Sequence, residues 1–284
     1  MSNLSAHETA TAASALAGIR ITSQPPSAVT RQAKPSPEFA HKLAASAALL
    51  TDANALYGPL VQASSLGAED MVVSELLHRL AQNNQQLQVP IFVLDTGLLH
   101  PQTLALIAQV EQRYGLQVTR WQPDAQAASD FVQQNGPLAM RSSLELRKAC
   151  CAIRKMQPLG RALAGYSGWI TGLRREQSTG RAQLESLEIE ATAPLSPATE
   201  PSQRVKLNPL AEWTWGDVWH FIALYQTPYN PLHDAFYPSI GCEPCTRPIS
   251  MGEDLRAGRW WWEQSSDGTG SGGNQECGLH VRVG

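Results

Sequence analysis

The segment Leu60-Val61-Gln62-Ala63-Ser64-Ser65-Leu66-Gly67-Ala68-Glu69-Asp70 joins a short apolar run, a turn of small residues and an acidic helix start. Apolar residues then recur on one helical face, at positions 71, 72, 76, 77 and 80. This change of period predicts a strand over 60–64 and a helix over 69–81. A strand, a tight turn and a helix in this order are typical of the first unit of a parallel sheet.

Further strand and helix patterns follow on both sides of this unit. Short apolar runs predict strands over 89–94, 116–121 and 166–171, and helical periodicity predicts helices over 37–48 and around 104–110. Gly115 ends the second of these helices, and Thr214 begins another through Tyr225, with Asp217 completing a capping box. The alternation predicts an α/β fold: an open, mostly parallel sheet with helices on both faces.

Three stretches differ in composition from this alternating core. Residues 1–36 are rich in Ala, Ser, Thr and Pro, which predicts a mobile N-terminal arm with one short helix around 10–19. Residues 37–264 form the predicted α/β domain, with a helix over 143–164 broken at Pro158, a loop over 191–203 and an irregular region after Tyr229. Residues 265–284 begin with a glycine-rich run and predict a flexible, mobile tail.

The bulk composition excludes several classes of protein. The 284 residues carry a formal net charge of −3, and 43% are hydrophobic and 17% charged, as in a globular protein. No apolar run approaches the roughly 20 residues of a membrane helix. No basic start followed by an apolar block marks a secretory signal. We therefore expect a cytoplasmic protein that binds neither a membrane nor nucleic acid.

Positive charge is concentrated in one segment of this acidic chain. Between Arg141 and Arg181, nine basic residues are opposed by only Glu145 and Glu176, which leaves a local charge of +7. The common outcome for such a run is a solvated helix face. The alternative is a site for a small polyanion, or compensation for an anionic metal cluster. The cysteine pair at 150–151 lies inside the segment and favours this alternative.

The turns after three predicted strands carry residue types suited to anion binding. The carboxyl ends of parallel strands meet at one edge of a sheet, where ligands bind. Each turn alone is better explained as a tight βα connection, but together they predict one crevice rimmed by backbone N–H groups and arginines. The residues in question are Ser64, Ser65, Gly67, Asp95, Thr96, Gly97, Arg174 and Arg175, with Arg256 and Arg259 as further candidates.

All five cysteines fall in three small groups. They are the adjacent pair Cys150-Cys151, the C-x-x-C motif Cys242–Cys245, and Cys277 near the C-terminus. Four thiolates complete the ligand set of either a 4Fe–4S cluster or a structural zinc ion. A redox disulfide within the C-x-x-C motif is the alternative for that pair. Lys155, five residues after Cys150, is expected beside such a metal site.

Cys277 has surroundings unlike those of the other four cysteines. It follows the glycine-rich run and precedes Gly-Leu-His280. The 15 residues from Trp262 to Cys277 give a flexible chain a reach of about 20 Å. A lone C-terminal cysteine is commonly an indifferent surface thiol, but this reach suits a swinging nucleophile, and a nearby positive site favours its thiolate.

Taken together, these motifs resemble the assimilatory adenylyl-sulfate reductases and the related 3′-phosphoadenylyl-sulfate (PAPS) reductases. The resemblance extends from about Ser64 to His280. Its most specific pieces are C-C-A-I-R-K at 150–155, I-T-G-L-R-R-E-Q-S at 170–178, P-S-I-G-C-E-P-C-T-R-P at 238–248, G-E-D-L-R-A-G-R-W-W-W-E at 252–263 and E-C-G-L-H at 276–280. The turn at 64–70 lacks the S-G-G-x-D-S form of related ATP pyrophosphatases, which speaks against ATP hydrolysis.

The resemblance implies a fold, a cofactor and a set of roles. The fold is that of the adenine nucleotide α-hydrolases, and the cofactor is a 4Fe–4S cluster on Cys150, Cys151, Cys242 and Cys245. Cys277 is implied as the nucleophile that takes the sulfo group. The implied nucleotide and sulfate contacts are Ser64, Ser65, Gly67, Asp95, Thr96, Gly97, Lys155, Arg174, Arg175, Arg181, Arg256, Arg259 and His280.

The implied reaction is the thiol-dependent reduction of adenosine 5′-phosphosulfate (APS) to sulfite and AMP in sulfate assimilation, through an S-sulfocysteine. Reduced thioredoxin or glutaredoxin is the implied partner, and the protein is expected to be a homo-oligomer. Two alternatives stay open. One is PAPS reduction, alone or beside APS reduction. The other is a non-enzymatic iron–sulfur redox sensor.

Overall fold

The protein is described by a computed structural model that covers residues 26–84, 87–192 and 202–263. Six strands form one sheet in the order β3-β2-β1-β4-β6-β5. Every neighbouring pair is parallel except β5 and β6, which are antiparallel. The strands are β1 Leu60–Ser64, β2 Ile91–Leu94, β3 Val118–Trp121, β4 Gly168–Ile170, β5 Leu187–Thr192 and β6 Ser202–Leu207.

Helices cover both faces of the sheet because neighbouring strand residues point to opposite sides. Leu60 packs with Ile170 against the helices Ala68–Asn83 and Trp215–Tyr225, whereas Val61 packs with Phe92 against the helix Gln157–Ala162. The predicted fold class is confirmed. The helices are α1 Ala28–Gln32, α2 Phe39–Tyr57, α3 Ala68–Asn83, α4 Pro101–Tyr114, α5 Ala125–Asn135, α6 Leu144–Cys151, α7 Gln157–Ala162 and α8 Trp215–Tyr225.

Several sequence signals coincide with the element boundaries. Gly115 ends α4 in the left-handed conformation, with φ of 65°. Thr214 and Asp217 form the predicted capping box at the start of α8. Past Tyr229 the described chain holds only single 3-10 turns, which confirms the irregular region; they are Pro231–His233, Glu243–Cys245 and Trp261–Glu263. None of the helices in the described ranges combines the length and apolarity needed to cross a membrane.

The structure corrects the predicted break at Pro158. The helical path from Leu144 runs through a π-helical turn, Ala152–Met156, and continues as α7. Pro158 lies in the first turn of α7, where its missing N–H has little cost because the wider π turn has already shifted the hydrogen-bond pattern. The distortion therefore lies directly after the cysteine pair, not at the proline.

The predicted loop over 191–203 is also wrong at both ends. Residues 191–192 end β5, residues 202–203 begin β6, and the two strands pair antiparallel from Leu187↔Leu207 to Thr192↔Ser202. Because β5 is an edge strand, it alternates apolar and acidic residues without a continuous apolar run, and Ile189 is exposed. The loop was predicted from the composition of 191–203, which contains three prolines and several Ser and Thr residues and hides these strand ends. Residues 193–201 lie outside the described ranges.

The last part of the predicted mobile arm is packed onto the domain. Ser27 caps α1 through a hydrogen bond from the Thr30 N–H, and Ala28 is buried. The predicted arm is therefore wrong for 26–36. The predicted helix around 10–19 and the rest of the arm lie outside the described residues.

Candidate active site

A cavity of about 210 Å³ opens at the carboxyl ends of β1, β2 and β4. The chain passes from β1 outward to β2 and β3 and then returns to the other side of β1 as β4. The cavity therefore lies at the point where the strand order reverses, which is where open α/β sheets bind their ligands. The turns after β1 and β4 form its floor.

The turn after β1 is held by Asp70. Its Oδ2 accepts hydrogen bonds from the Ser65 N–H and hydroxyl, both at 2.6 Å, and its Oδ1 accepts one from the Gly172 N–H at 2.9 Å. Burial raises the pKa of Asp70 to about 6, although the hydrogen bonds from Ser65 act in the opposite direction. A Cβ on Gly172 would lie 2.6 Å from Asp70 Oδ1, so this contact between the two turns requires glycine.

The backbone donors of this turn are used within it, contrary to the expectation that they face an anion. The Ser65 N–H donates to Asp70, and the Leu66 N–H donates to Ser64 Oγ at 3.1 Å. The Gly67 N–H makes a longer contact of 3.4 Å to Ser65 Oγ. Ser64, Ser65 and Gly67 do line the cavity, as predicted.

Arg174, in the turn after β4, is buried and surrounded by acids. Its guanidinium donates to Glu69 Oε1 at 2.9 and 3.1 Å and to Glu176 Oε2 at 2.8 Å, and it lies 5.3 Å from the Trp215 ring centroid. Burial alone would raise the pKa of Glu69, but the charge of Arg174 and the hydrogen bond from Gln177 lower it below its ordinary value. Arg174 therefore forms part of a neutralised wall.

Arg175 and Arg181 have different surroundings although both were predicted as anion contacts. Arg175 donates to the Leu184 carbonyl at 2.7 Å and pairs with Glu185 and Glu212, and it lies outside the cavity lining. Because side chains alternate in direction after the strand, Arg175 points away from the cavity. The local sequence does not reveal which of the two arginines does so. Arg181 lines the cavity and donates to Gln177.

Only the middle residue of the predicted turn 95–97 lines the cavity. Thr96 is buried in its wall, and its hydroxyl lies 3.2 Å from Cys242 Sγ. Asp95 instead accepts hydrogen bonds from Arg120 at 2.6 Å and from Gln122 at 2.9 Å. Burial alone would raise the pKa of Asp95, but these hydrogen bonds lower it below its ordinary value. Gly97 has φ of 72° and shapes the turn beside Arg154.

Arg256 and Arg259 supply the positive side of the cavity. Both are buried in its wall, although they lie 82 and 85 residues after Arg174 in the chain. Arg259 Nη1 lies 3.4 Å from the Ser239 hydroxyl and the Ile240 carbonyl, and its guanidinium stacks 4.6 Å from the Trp260 ring centroid. Within the described part of the chain, no carboxylate forms an ion pair with Arg259. This positive charge is suited to an anionic ligand.

The four cysteines expected to bind metal are buried around a second, smaller cavity, which we call the cysteine chamber. Cys150 and Cys151 end α6, directly before the π turn, whereas Cys242 precedes the 3-10 turn Glu243–Cys245 and Cys245 ends it. The Glu243 N–H donates to the Leu98 carbonyl at 2.7 Å, which fixes this turn to the segment after β2. Tertiary folding therefore brings together two motifs that are separated by 91 positions in the sequence, from Cys151 to Cys242.

The chemistry of the chamber fits an iron–sulfur cluster. None of these four cysteines forms a disulfide, so the Cys242–Cys245 disulfide is not formed here. Burial, together with the neighbouring Cys242, raises the pKa of Cys245 to about 12, so a Cys245 thiolate at this place needs a bound cation. In the described ranges, no three His, Cys, Asp or Glu side chains are grouped as ligands of one metal ion. Four cysteine thiols are the donor set of both an iron–sulfur cluster and a structural zinc ion.

The two cavities share part of their walls. Lys155, Cys242, Arg259 and Trp260 line both, so the positive end of the large cavity adjoins the cysteine chamber. The remaining predicted site residues, Cys277 and His280, lie outside the described residues.

Some cavity residues were not anticipated from the sequence. Glu69, Asp70 and Gln177 organise the floor, and the buried His233 lies in the wall beside Trp215. Glu69 and Asp70 belong to the 64–70 turn, which the resemblance implied as a nucleotide and sulfate contact without a separate role for either acid, and nothing local distinguishes His233 within Asn230-Pro231-Leu232-His233. Only its approach from a distant, irregular segment brings it to the site.

Comparison with known proteins agrees with this geometry. A sequence profile of the phosphoadenosine phosphosulfate reductase domain matches residues 59–248. The chain is 48% identical over 223 residues to a protein of Allochromatium vinosum named adenosine 5′-phosphosulfate reductase, covering 78% of this chain and 79% of that protein. It is 44% identical over 246 residues to a protein of the same name from Burkholderia cepacia, covering 87% and 90%.

Solved structures share the fold at lower identity. The phosphoadenylyl-sulfate reductase of Candida auris has a TM-score of 0.55 and 24% identity, covering 74% of this chain and 97% of that one. An FMN adenylyltransferase of Candida glabrata has a TM-score of 0.51 and 12% identity, covering 90% and 83%. The profile match extends over more than half of the chain, and with the close relatives it shows that the chain belongs to the phosphoadenosine phosphosulfate reductase domain family.

Proposed function

We propose that this protein reduces APS to sulfite and AMP with electrons from a reduced thiol protein, as a step of sulfate assimilation. The observation that carries the proposal is the wall shared by the nucleotide-sized cavity and the cysteine chamber. It supports an arrangement in which the sulfate end of a nucleotide lies beside Lys155 and Arg259. The relatives named adenosine 5′-phosphosulfate reductase support the choice of substrate.

The nucleotide is proposed to lie across the strand ends. The cavity is lined by the 64–70 turn, Thr96 and the Thr171–Arg174 segment, and Arg256 and Arg259 supply positive charge. Arginine donors of this kind stabilise negative charge that develops on a leaving phosphate. Three of the predicted contacts do not line the cavity and are proposed only to shape the turns that carry the lining residues; they are Asp95, Gly97 and Arg175.

The group transfer is proposed to occur on Cys277. Its thiolate attacks the sulfur of APS, an S–S bond forms, and the S–O bond breaks as AMP leaves with the electron pair. A thioredoxin or glutaredoxin thiolate then attacks Cys277 Sγ, and sulfite leaves with the electron pair of the broken S–S bond. A second thiol of the donor resolves the mixed disulfide and restores Cys277. His280, three residues later, is proposed to accompany Cys277 into the cavity.

We further propose that Cys150, Cys151, Cys242 and Cys245 hold a 4Fe–4S cluster. When bound, the cluster links α6 to the Glu243–Cys245 turn and sets the electrostatic field beside the shared wall. Lys155, which lines both cavities, is proposed to orient the sulfate of the substrate there. None of these residue roles requires the cluster to exchange electrons.

Two other functions make different predictions. A PAPS or dual reductase would use PAPS at least as efficiently as APS, whereas we expect at least a tenfold preference for APS, or about 1.4 kcal/mol of transition-state binding. Steady-state assays with both nucleotides and one thioredoxin decide between them. An iron–sulfur redox sensor would show no turnover with either nucleotide.

The reaction itself is tested by trapping its intermediate. Incubation of the enzyme with APS and no thiol should add one sulfo group to the peptide that contains Cys277, as read by mass spectrometry. Cys277→Ser should lose the adduct and sulfite release but keep its iron, because its thiol is not one of the proposed ligands. An adduct on Cys242 or Cys245 would contradict the proposed division of roles.

The cellular setting follows from the chemistry of the reaction. A reaction that consumes reduced thiols is suited to a reducing compartment, so we propose a cytoplasmic protein. The proposed partners are APS and thioredoxin or glutaredoxin, with no nucleic acid. The homo-oligomer expected from the sequence is tested by light scattering on the purified holoenzyme.

A further inference from the structure

A short N-terminal segment reaches the wall of the nucleotide cavity from outside the family's matched region. Residues 26–34, which include α1, precede the matched residues 59–248 by more than twenty positions. They pack against the turn that contains His233 and Phe236, which we call the 233–236 turn. The contacts are specific and involve both backbone and side chains.

The segment is joined to the 233–236 turn by three polar or charged contacts. The Ala28 N–H donates to Asp234 Oδ1 at 2.6 Å. Arg31 Nη2 donates to the His233 carbonyl at 2.8 Å, and its guanidinium lies 4.4 Å from the Phe236 ring centroid. Both hydrogen bonds involve a charged group, but the Ala28 donor is a backbone N–H, so Arg31 is the contact that a side-chain substitution removes.

The 233–236 turn has a conformation that needs such support. Phe236 has φ of 64°, in the left-handed region that aromatic residues rarely adopt. Backbone of this kind persists only where its surroundings hold it. The Ile249 N–H donates to the Phe236 carbonyl at 2.9 Å from one side, and Arg31 contacts its ring from the other.

The turn positions part of the cavity wall. His233 is 3% exposed, lines the cavity, and packs edge-to-face against Trp219 with ring centroids 5.2 Å apart. The chain then continues as the lining segment 238–241 and reaches Cys242, which belongs to both cavities. Displacement of the turn would therefore move a wall of the nucleotide site.

The other end of the segment is fixed to α8. A Cβ on Gly216 would lie 2.0 Å from the Lys34 carbonyl oxygen, so the chain passes directly over the helix start. The Ser36 N–H and hydroxyl donate to Asp217 at 2.7 and 3.1 Å. The segment is thus held between α8 and the 233–236 turn.

We propose that residues 26–34 form a strap that positions the His233 wall of the nucleotide cavity, with Arg31 as the positioning residue. This inference rests on the proposed function, because it assigns the cavity to an adenine nucleotide. Arg31 does not line the cavity and acts through the turn. Its removal should therefore weaken nucleotide binding and leave the chemical step unchanged.

The test compares full-length holoenzyme variants by titration with AMP. Arg31→Ala should raise the Kd for AMP and the KM for APS about tenfold, with kcat within twofold of wild type. Arg31→Lys, which keeps the charge and one donor, should recover most of the affinity. Lys34→Ala is the matched control, because it removes the same charge from an exposed side chain of the same segment.

A double-mutant cycle separates positioning from general destabilisation. His233→Phe keeps an aromatic ring against Trp219, and if Arg31 acts through this wall, Arg31→Ala should lower AMP affinity less than threefold in that background. Three results would each overturn the strap. They are an unchanged AMP affinity in Arg31→Ala, a loss of AMP affinity in Lys34→Ala equal to that in Arg31→Ala, and additive losses of AMP affinity when Arg31→Ala and His233→Phe are combined. Wild-type enzyme that does not bind AMP would overturn the proposed function, and the strap's role in nucleotide binding with it.

Discussion

The nucleotide cavity and the cysteine chamber share a wall but are built differently. The cavity lies at the ends of parallel strands, and its charges form pairs such as Glu69 with Arg174. The chamber lies between a π-distorted helix and a 3-10 turn, and burial raises the pKa values of its Cys150 and Cys245 thiols. A site of paired charges is formed by folding alone, whereas a site of buried thiols becomes complete only with a bound cation.

The largest effect is expected where the chamber loses a ligand. The proposed iron–sulfur cluster should colour the protein brown. Cys245→Ser should abolish this colour and reduce sulfite release below detection, because a neutral hydroxyl cannot replace a buried thiolate on iron. Iron and sulfide analysis after anaerobic purification measures it. Cys277→Ser is the control and should keep its iron. Stoichiometric zinc in the wild-type protein would contradict the cluster.

The next effect concerns the paired charges of the cavity, and two adjacent arginines provide a matched comparison. Arg174→Gln leaves Glu69 buried without its cation and should lower the free energy of unfolding by about 3 kcal/mol or more. Arg175→Gln removes partly exposed pairs and should lower it by less than about 1 kcal/mol. Denaturant unfolding measures both. Equal losses would show that burial does not separate the two arginines.

Asp70, in the cavity floor, should make the stability of the folded protein depend on pH, and its raised pKa fixes the sign of this dependence. Because burial raises its pKa from 3.8 to about 6, the folded state holds this proton more tightly than the unfolded state. Its contribution to stability is therefore complete below pH 3.8 and falls as pH rises to about 6, by about 3 kcal/mol in total. Asp70→Asn should lack this contribution.

The measurement is the difference in unfolding free energy between wild type and Asp70→Asn at pH 4 and pH 6. His233 acts in the opposite direction over this window, because burial lowers its pKa to about 4. Both proteins contain His233, so its contribution cancels in the comparison. A pH-independent difference would show that Asp70 is ionised throughout.

The smallest effect tests the shared wall. Arg259→Lys keeps the charge but loses the planar guanidinium that stacks on Trp260, and it should lower kcat/KM for APS about tenfold, or 1.4 kcal/mol. Arg175→Lys, outside the cavity lining, should leave kcat/KM unchanged. Steady-state kinetics decide this, and equal losses in both variants would remove the reason to assign Arg259 to the substrate.

Sequence prediction succeeded where the signal is local. The predicted strand 60–64 is β1, and the Thr214 capping box begins α8, because both depend on neighbouring residues alone. It failed at the end of β5 and the start of β6, where the prolines and the Ser and Thr residues of 191–203 predicted a loop, and at 26–36, whose order comes from contacts with residues about 180 to 206 positions away. The roles assigned to Cys277 and His280 stay predictions.

The sequence by itself determined the α/β fold, the family and the five cysteines, because periodicity and motif order are properties of the chain. Only the tertiary structure decided that Thr96 faces the cavity while Asp95 turns to Arg120, and that Arg174 is buried while Arg175 points away. The reason is that neighbouring residues at a strand end point in opposite directions, and the packing around each turn selects which one faces the ligand.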